Sequence, residues 1–269
     1  MALTKDDVAR YSRQLILPEI GVQGQERLRR ASVLLVGAGG LGSPAALYLA
    51  AAGVGTIGLV DREAVALSNL HRQILHDTDA VGRPKSESAK SRLSALNPTI
   101  HVLAFQEQLE PSNVVVRIAP FDVVLDGSDN FPTRYLVNDA CVLANKSLVY
   151  GGAIGFGGQV LTIRPGQSAC LRCVFPEPPA EGAIPSCQEA GVLGSAAGVI
   201  GTLMAHEALK LILGIGKPLT DRLLVFNGMQ SRFRTVAVRR DSSCAVCGQA
   251  PSIQQPAFYD ALPVCHQVC

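Results

Sequence analysis

Short apolar runs alternate with longer helical patterns through the first 150 residues of the chain. Five of the apolar runs have the length of strands, at 32–36, 56–60, 100–105, 123–126 and 148–153. Three helical patterns follow or separate them, at 43–52, 84–96 and 132–145. Apolar runs without polar alternation are typical of strands that are buried on both faces of a parallel sheet. The pattern therefore predicts an α/β fold with a doubly wound, mostly parallel sheet.

The pattern differs on either side of this region. Two helices are predicted before the first strand, at 4–16 and 23–30. After it we predict a glycine-rich bend at 151–158, a strand at 159–164 and an exposed, mobile proline-rich connection at 176–185. A buried helix is predicted at 192–213, and two late strands at 222–226 and 233–238 are predicted to form a hairpin. Residues 249–269 are predicted to be a loosely ordered tail.

The composition is that of a folded chain with no large charge. Its 269 residues suit one large α/β domain or two small ones, and 48% apolar with 17% charged residues excludes a disordered or fibrous protein. A net charge of +2 is too small for binding nucleic acid by bulk electrostatics. We find no secretory signal and no membrane span, so we expect a cytoplasmic protein with eight reduced cysteines.

A glycine motif lies between the first strand and the helix that follows it. Gly37, Gly39 and Gly42 have the spacing G-x-G-x-x-G, and Asp61 ends the next strand. Such glycines let the backbone approach phosphates at a helix N-terminus, while the acid takes ribose hydroxyls. The motif predicts nucleotide binding, and NAD, FAD and ATP all remain possible ligands at this point.

Charged residues after later elements favour a triphosphate. Ser68–Gln73 follows the second strand, Lys85 lies at the start of a helix, and Asp126–Asn130 ends another strand. Arginine and lysine neutralise charge on a transferring phosphoryl group, and an aspartate can hold Mg²⁺. Either cation taken singly is better explained as a solvated surface residue. Together they suit ATP chemistry better than hydride transfer.

Two pairs of cysteines have the spacing of metal ligands. Cys170 and Cys173 form one C-x-x-C pair, and Cys244 and Cys247 form the other. Two such pairs in a reduced protein predict a tetrahedral Zn²⁺ site, with two redox pairs as the alternative. Four thiolates leave no open position for water, so the site should be structural and clip the late hairpin onto the body of the protein.

The remaining cysteines are less informative. Cys187 follows the proline-rich connection and precedes a helix, so it is either a nucleophilic thiol or an inert core residue. Cys141 lies in an apolar helical pattern and is predicted to be core. Cys265, His266 and Cys269 lie in the tail and do not make a metal site by themselves.

Taken together, these segments resemble a known family. The matching segments are Tyr11–Gln14, Gly37–Pro44, Ser68–Gln73, Asp129-Asn130, Cys187–Val192 and both cysteine pairs. They are similar to those of the bacterial E1-like adenylyltransferases, which include the molybdopterin-synthase adenylyltransferase and the ThiS adenylyltransferase of thiamine synthesis. The resemblance implies one E1-like (Rossmann-like) adenylation domain over 1–248, with a nucleotide-binding half at 1–150 and a carrier-binding, zinc-bearing half at 151–248.

The resemblance implies a reaction and its partners. Members of the family use ATP to adenylate the C-terminal glycine of a ubiquitin-fold sulfur-carrier protein ending in Gly-Gly, and a sulfur donor then makes a thiocarboxylate. They are homodimers. Because the chain ends soon after Cys247, we expect a separate sulfurtransferase or cysteine desulfurase. The pathway stays open between molybdopterin, thiamine, tRNA and other thio-metabolite synthesis.

The family's site residues carry over by position. The nucleotide-binding residues that this implies are Gly37, Gly39, Gly40, Gly42, Asp61, Ser68, Asn69, Leu70, His71, Arg72, Lys85, Asp129 and Asn130. Among them, Gly40 lies under the phosphates, Asp61 takes the ribose, and Asp129 holds Mg²⁺. Arg72 and Lys85 neutralise phosphate charge. Two further residues follow the resemblance: Arg13 reaches into a partner subunit's site, and Cys187 links covalently to the carrier in the thiamine branch but appears dispensable in the molybdopterin branch.

Two rival functions fit less well. An NAD-dependent oxidoreductase could use the same glycine motif, but it would need an acid–base residue at a hydride site, and the sequence offers none. A noncatalytic binding scaffold would be expected to lack Arg72, Lys85 or Asp129, and all three are present. Adenylation needs no general base, because a carboxylate nucleophile is already ionised at neutral pH.

Overall fold

The computed structural model describes residues 3–179 and 190–258. Within these residues eight strands form one sheet: β1 Ser32–Val36, β2 Thr56–Val60, β3 His101–Phe105, β4 Val123–Asp126, β5 Ser147–Ile154, β6 Gly157–Ile163, β7 Arg222–Asn227 and β8 Arg232–Ala237. The α-helices are α1 Lys5–Arg10, α2 Ser12–Leu15, α3 Gly21–Arg30, α4 Gly42–Ala52, α5 Lys85–Leu96, α6 Val114–Ile118, α7 Phe131–Leu143, α8 Leu171–Val174 and α9 Gly194–Leu213.

The strand order confirms the predicted doubly wound sheet. The order is β3-β2-β1-β4-β5-β6-β7-β8, and the pairs from β3 through β5 are parallel. The chain therefore runs outward in one direction from β1 and in the other from β4. Ligands of open α/β sheets bind at the carboxyl ends of the strands where this reversal occurs. The strands β5 to β8 continue the sheet with antiparallel pairing, and the connection from β6 to β7 contains α8 and α9.

Alternate residues of the central strands supply the two halves of the core. Val33 and Leu35 of β1 pack with α3, α4, α5 and α9 on one face. Leu34 and Val36 pack with α6 and α7 on the other face. Burial on both faces explains why these strands are apolar throughout and not alternating.

The first predicted helix is interrupted at Tyr11. The structure has two short helices, α1 and α2, in place of one helix over 4–16. Tyr11 is buried, and its hydroxyl accepts a hydrogen bond of 2.8 Å from the side-chain amide of Asn97. Fixing this side chain in the core favours a break in the helix at that residue.

The predicted glycine-rich bend is mostly strand. Gly151 and Gly152 belong to β5, Gly157 and Gly158 belong to β6, and only residues 155–156 turn between them. A Cβ on Gly151 would lie 2.2 Å from the sulfur of Met204 on α9. Gly151 therefore serves close packing of α9 on the hairpin, which the sequence pattern does not separate from bending.

Some predictions fall outside the described residues. These include part of the proline-rich connection, with Cys187, and the end of the tail, with Cys265, His266 and Cys269. The described residues 249–258 contain no helix or strand. The division into halves at residue 150 stays a prediction.

Helix α9 is the one helix among the described residues that has the length and apolar composition to cross a membrane. Half of its most apolar window is buried inside the protein, where α9 packs against α4, β5 and β6. The core helix of a folded domain can have the same length and apolar composition as a membrane-spanning helix.

The approach of α9 to the start of α4 depends on Gly201. A Cβ at this position would lie 2.2 Å from the carbonyl oxygen of Leu41. One turn earlier, a Cβ on Gly198 would meet nothing within 4 Å.

We predict that Gly201→Ala destabilises the protein by about 1–3 kcal/mol, because the helix must shift away from the glycine-bearing turn. The matched variant Gly198→Ala should be neutral or stabilising by up to about 1 kcal/mol, since alanine is the better helix former. Chemical denaturation of both variants measures the difference. Equal stabilities would contradict this account of the packing.

Candidate active site

A cavity of about 570 Å³ opens at the carboxyl ends of the parallel strands. The predicted site residues that line it are Gly37, Gly39, Gly40, Asp61, Asn69, Arg72, Lys85, Asp129 and Asn130. Residues far apart in the chain therefore meet at the point where the sheet reverses its order.

The glycine loop forms the floor of this cavity. Gly37 directly follows β1 and has a φ of +90°, which favours glycine. A Cβ on Gly42 would lie 1.9 Å from the carbonyl oxygen of Gly37, so only glycine lets α4 begin this close to the strand. Among the described residues, the backbone N–H groups of Gly39 and Gly40 have no hydrogen-bond acceptor. Free N–H donors at the start of a helix are suited to phosphate oxygens.

Asp61 joins the end of β2 to this loop. Its carboxylate accepts hydrogen bonds from the backbone N–H of Ala38 at 2.9 Å and of Glu63 at 2.8 Å. Burial raises the pKa of Asp61, and the positive charge of Lys85 opposes this effect. Asp61 thus fastens the loop and also lies in the cavity wall where the sequence predicts a ribose contact.

Two cations lie in the same wall. The buried Lys85 begins α5, and its ammonium group is 2.5 Å from a carboxylate oxygen of Glu63. The guanidinium of Arg72 donates to the carbonyl oxygen of Ser68 at 3.1 Å and lies 2.8 Å from the His71 ring nitrogen Nε2. These bonds hold both cations at the cavity, where they can neutralise a phosphate.

The turn after β4 places an acid opposite these cations. Asp129 is exposed and lines the cavity. Asn130 caps α7, because its side-chain oxygen accepts from the backbone N–H of Thr133 at 2.9 Å. The fully buried Asp126 accepts from the backbone N–H of Ser128 at 3.0 Å and shapes the turn from below, and burial raises its pKa. Asp129 is therefore free to hold a cation while its neighbours fix the backbone.

Two further cations of the cavity, Arg62 and Arg134, were not predicted from the sequence. Arg134 lines it from the first turn of α7, and its Nε and Nη2 donate to the carbonyl oxygen of Ser128 at 3.3 and 3.1 Å. The guanidinium also lies over the rings of Phe131 and Tyr150, at 5.3 and 5.6 Å from their centres. The spacing of four residues from the helix cap at Asn130 was the signal that could have placed it.

Other predicted residues lie away from the cavity. Gly42, Ser68, Leu70 and His71 do not line it, although the Ser68 carbonyl and the His71 ring orient Arg72. Arg13 is exposed on α2 and does not line the cavity of its own chain, so its role in a partner subunit stays a prediction. Nothing in the described residues tests the role of Cys187.

A second cavity, of about 580 Å³, lies at the opposite end of the strands, beside Val123 at the start of β4 and Ser147 at the start of β5. It also contains cations, and two of them donate to backbone carbonyl oxygens, as Arg72 and Arg134 do in the first cavity. Arg27 donates to the carbonyl oxygen of Leu213 at 2.9 Å, and Lys210 donates to that of Lys217 at 3.1 Å. The volumes of the two cavities do not show which of them is the functional site. The first cavity is distinguished by the free N–H groups of Gly39 and Gly40 at the start of a helix.

The four paired cysteines meet at one point. Their sulfur atoms lie within 4.8 Å of one another, with Cys170 3.8 Å from Cys173 and 3.6 Å from Cys244, and Cys173 3.4 Å from Cys247. A tetrahedral metal with bonds of about 2.3 Å to sulfur requires sulfur–sulfur separations of about 3.8 Å. The cluster fits such a metal and joins the segment after β8 to α8, as predicted. Cys141 is fully buried in the core, also as predicted.

A buried ion pair holds the first of the two cysteine pairs in place. Arg172, between Cys170 and Cys173, contacts the carboxylate of Asp139 on α7 at 2.8 Å, and both side chains are buried. The guanidinium also lies 4.7 Å from the ring centre of Tyr135. Breaking such a pair would leave an uncompensated buried charge, so α8 is held firmly against α7.

The fold and the cavity define an E1-like nucleotide-binding protein: a doubly wound sheet, a glycine loop with free N–H donors, and opposed cations and acid. Residues 11–246 match the model of the ThiF family, and the chain belongs to that family.

Two kinds of curated relative are similar to the chain. A sulfur carrier protein adenylyltransferase of Thermus thermophilus is 51% identical over 266 residues, which cover 97% of this chain and 98% of that protein. The adenylyltransferase and sulfurtransferase MOCS3 of Drosophila sechellia is 49% identical over 259 residues. This match covers 96% of the chain but 57% of MOCS3, so the chain spans somewhat more than half of that relative.

Solved structures share the fold. Escherichia coli MccB in a structure with ATP is 25% identical with a TM-score of 0.75, covering 89% of this chain and 74% of MccB. A further MccB structure, with MccA-N7isoASN, gives a TM-score of 0.79 at 24% identity, covering 89% and 75% of the two chains.

We predict that Cys173→Ser removes the metal and lowers the melting temperature, since a structural metal contributes directly to folding. Elemental analysis should find about one equivalent of metal less than in the wild type. Cys141→Ala is the matched control, because it removes a buried thiol outside the cluster and should keep the metal. Full metal content and an unchanged melting temperature in Cys173→Ser would refute the four-cysteine site.

Proposed function

We propose that this protein uses ATP to adenylate the C-terminal glycine carboxylate of a ubiquitin-fold sulfur-carrier protein that ends in Gly-Gly. The observation that carries the proposal is the meeting of the glycine loop, Arg72, Lys85 and Asp129 in one cavity. The similarity to a sulfur carrier protein adenylyltransferase along nearly the whole of both chains supports it. The protein is accordingly an adenylyltransferase and not a dehydrogenase.

The cavity's own groups suit the nucleotide. The free N–H groups of Gly39 and Gly40 can donate to phosphate oxygens, and the Asp61 carboxylate can accept from ribose hydroxyls. The Asp61 carboxylate is fixed by the backbone N–H groups of Ala38 and Glu63. Gly39 is held through its carbonyl oxygen, which accepts from the N–H of Ser43. Preorganised donors of this kind require little rearrangement during the reaction.

The chemical step is a displacement at phosphorus. A carboxylate oxygen of the carrier attacks the α-phosphorus of ATP, and the bond from that phosphorus to the bridging oxygen of pyrophosphate breaks. The products are an acyl-adenylate and pyrophosphate, with no proton to remove, so a site without a general base is sufficient. Arg72, Lys85 and Arg134 neutralise the phosphate charge, and the enzyme orients the attacking carboxylate. Asp129 would hold Mg²⁺, which screens phosphate charge when it is bound.

The four cysteines would hold a structural Zn²⁺. Zinc is the common divalent ion that four thiolates bind with tetrahedral geometry, and four thiolates leave no position for water or substrate. The metal would therefore stabilise the fold without taking part in adenylation.

The remaining features of the proposal concern assembly and sulfur supply. We propose a cytoplasmic homodimer in which Arg13 of each chain reaches the other subunit's site. Its exposure on α2, away from its own cavity, is compatible with that role. A separate sulfurtransferase or cysteine desulfurase would convert the adenylate to a thiocarboxylate for molybdopterin, thiamine, tRNA or another thio-metabolite.

The direct test is exchange of radioactive pyrophosphate into ATP in the presence of candidate carrier proteins. Exchange that requires one carrier and its C-terminal glycine supports the proposal and identifies the carrier. An oxidoreductase or a binding scaffold would give no exchange with any carrier.

We predict that Asp129→Ala lowers carrier-dependent exchange by at least about 100-fold, because it removes the Mg²⁺ ligand and the charge screening that the ion supplies. The fold should stay intact, since Asp129 is exposed and is not part of the core. Asp79→Ala, at an exposed position outside the cavity, is the control and should exchange normally. Near wild-type exchange by Asp129→Ala would remove Asp129 from the mechanism.

We predict that Cys187→Ala keeps pyrophosphate exchange, because adenylation uses only the carboxylate and ATP. If Cys187 traps the activated carrier, this variant should fail to form thiocarboxylate from a protein persulfide. The intact mass of the carrier, after incubation with ATP, enzyme and a desulfurase, measures the yield. A normal yield would mean that the persulfide attacks the adenylate directly and that Cys187 has no part in the mechanism.

A further inference from the structure

A buried histidine lies beneath the glycine loop and outside the cavity wall. His76 is 7% exposed. Its Nε2 is 3.0 Å from the carbonyl oxygen of Ala38, and its Nδ1 is 2.9 Å from the hydroxyl of Ser88 on α5. Neither the sequence motifs nor the proposed chemistry uses this residue, although it contacts the centre of the loop.

These contacts fix the positions of the hydrogens on the ring. A carbonyl oxygen only accepts hydrogen bonds, so Nε2 carries a hydrogen and donates it to Ala38. Burial lowers the pKa of His76, and the nearby charge of Lys85 lowers it further, which leaves the ring neutral at neutral pH. In the neutral ring Nδ1 has no hydrogen and accepts from the Ser88 hydroxyl. The imidazole is thus held in one orientation.

Ala38 is therefore held at both of its backbone polar groups. Its N–H donates to Asp61 at 2.9 Å, and its carbonyl oxygen accepts from His76. In a trans peptide the carbonyl and the following N–H point in opposite directions. Because the carbonyl of the Ala38–Gly39 peptide points at the buried imidazole, the N–H of Gly39 points away from it. Gly39 lines the cavity, and this N–H has no acceptor among the described residues.

This peptide would rotate easily without the histidine. Gly39 has no Cβ, and glycine adopts both signs of φ at little cost. Rotation would exchange the two ends of the peptide and present a carbonyl oxygen to the ligand in place of the N–H. A carbonyl oxygen facing a phosphate is repelled by it, whereas an N–H is attracted.

We propose that His76 is a positioning residue, which locks the Ala38–Gly39 peptide in the orientation that presents the Gly39 N–H to the phosphates of the nucleotide. This inference rests on the proposed use of the cavity for ATP. Losing His76 should therefore weaken the binding of phosphorylated nucleotides and leave the binding of the nucleoside unchanged. A residue that only stabilises the fold would not affect the two kinds of ligand differently.

The test compares adenosine, AMP and ATP as competitors of a fluorescent adenosine analogue. Three proteins are compared: the wild type, His76→Leu and His76→Gln. His76→Leu fills the space but cannot donate, and its affinity for ATP should fall about tenfold or more while that for adenosine stays the same. In His76→Gln the side-chain amide can donate to Ala38 in place of Nε2, and most of the ATP affinity should return.

The possible outcomes separate the claims. Unchanged ATP affinity in His76→Leu, or equal losses for adenosine and ATP, would overturn the positioning role while wild-type ATP binding leaves the proposed function standing. No ATP binding by the wild type would overturn the proposed function itself. If His76→Leu does not fold, Ser88→Ala replaces it, since it removes only the hydroxyl that orients the ring. An unchanged ratio of ATP to adenosine affinity in that variant would also overturn the inference.

Discussion

The hydrogen bond from the Ala38 N–H to the Asp61 carboxylate is the contact on which the cavity depends. It ties the loop after β1 to the end of β2, which are adjacent parallel strands. Placing a carboxylate there has a cost, because burial raises its pKa and disfavours its charged form. Lys85 offsets part of that cost and is itself held by Glu63. One network thus fixes the loop and keeps a cation at the cavity wall.

The second constraint is the close approach of α9 to this loop. Ala197 lies 3.4 Å from a Cβ placed on Gly40, and a Cβ on Gly194 would lie 2.3 Å from the carbonyl oxygen of His71. The helix comes from the later part of the sequence, yet its residue Ala197 lines the cavity formed mainly by the earlier part. A change in α9 would therefore reach the loop and Arg72 directly, without passing through the sheet.

Much of the fold was predictable because its signals are local. The runs that became β1, β2 and β4 are mostly apolar. The glycines, Asp61 and Asp129 follow strand ends that a parallel sheet brings together. The short helix α6 was not predicted, since Val114–Ile118 is rich in β-branched residues that favour strands. Tertiary packing decides otherwise, because Val114 and Ile118, one helical turn apart, are both fully buried. His76 was missed because its role comes from contact with the Ala38 carbonyl oxygen, which no local pattern encodes. Arg134 was missed although its spacing from the helix cap at Asn130 is a local signal.

The cysteine cluster holds the antiparallel extension of the sheet to the rest of the protein. Every residue of β8 is exposed, so this strand gains little from burial of apolar surface. Its contacts are the pairing with β7 and the stacking of Phe233 on Phe226, with ring centres 4.7 Å apart. An edge strand of this kind would separate readily from the sheet if nothing else held it. The cysteine cluster anchors the segment immediately after β8 to α8, and α8 is in turn fixed to α7 by the Arg172–Asp139 ion pair. Because α7 begins at the cap beside Asp129, the helix that holds α8 also carries residues of one wall of the cavity.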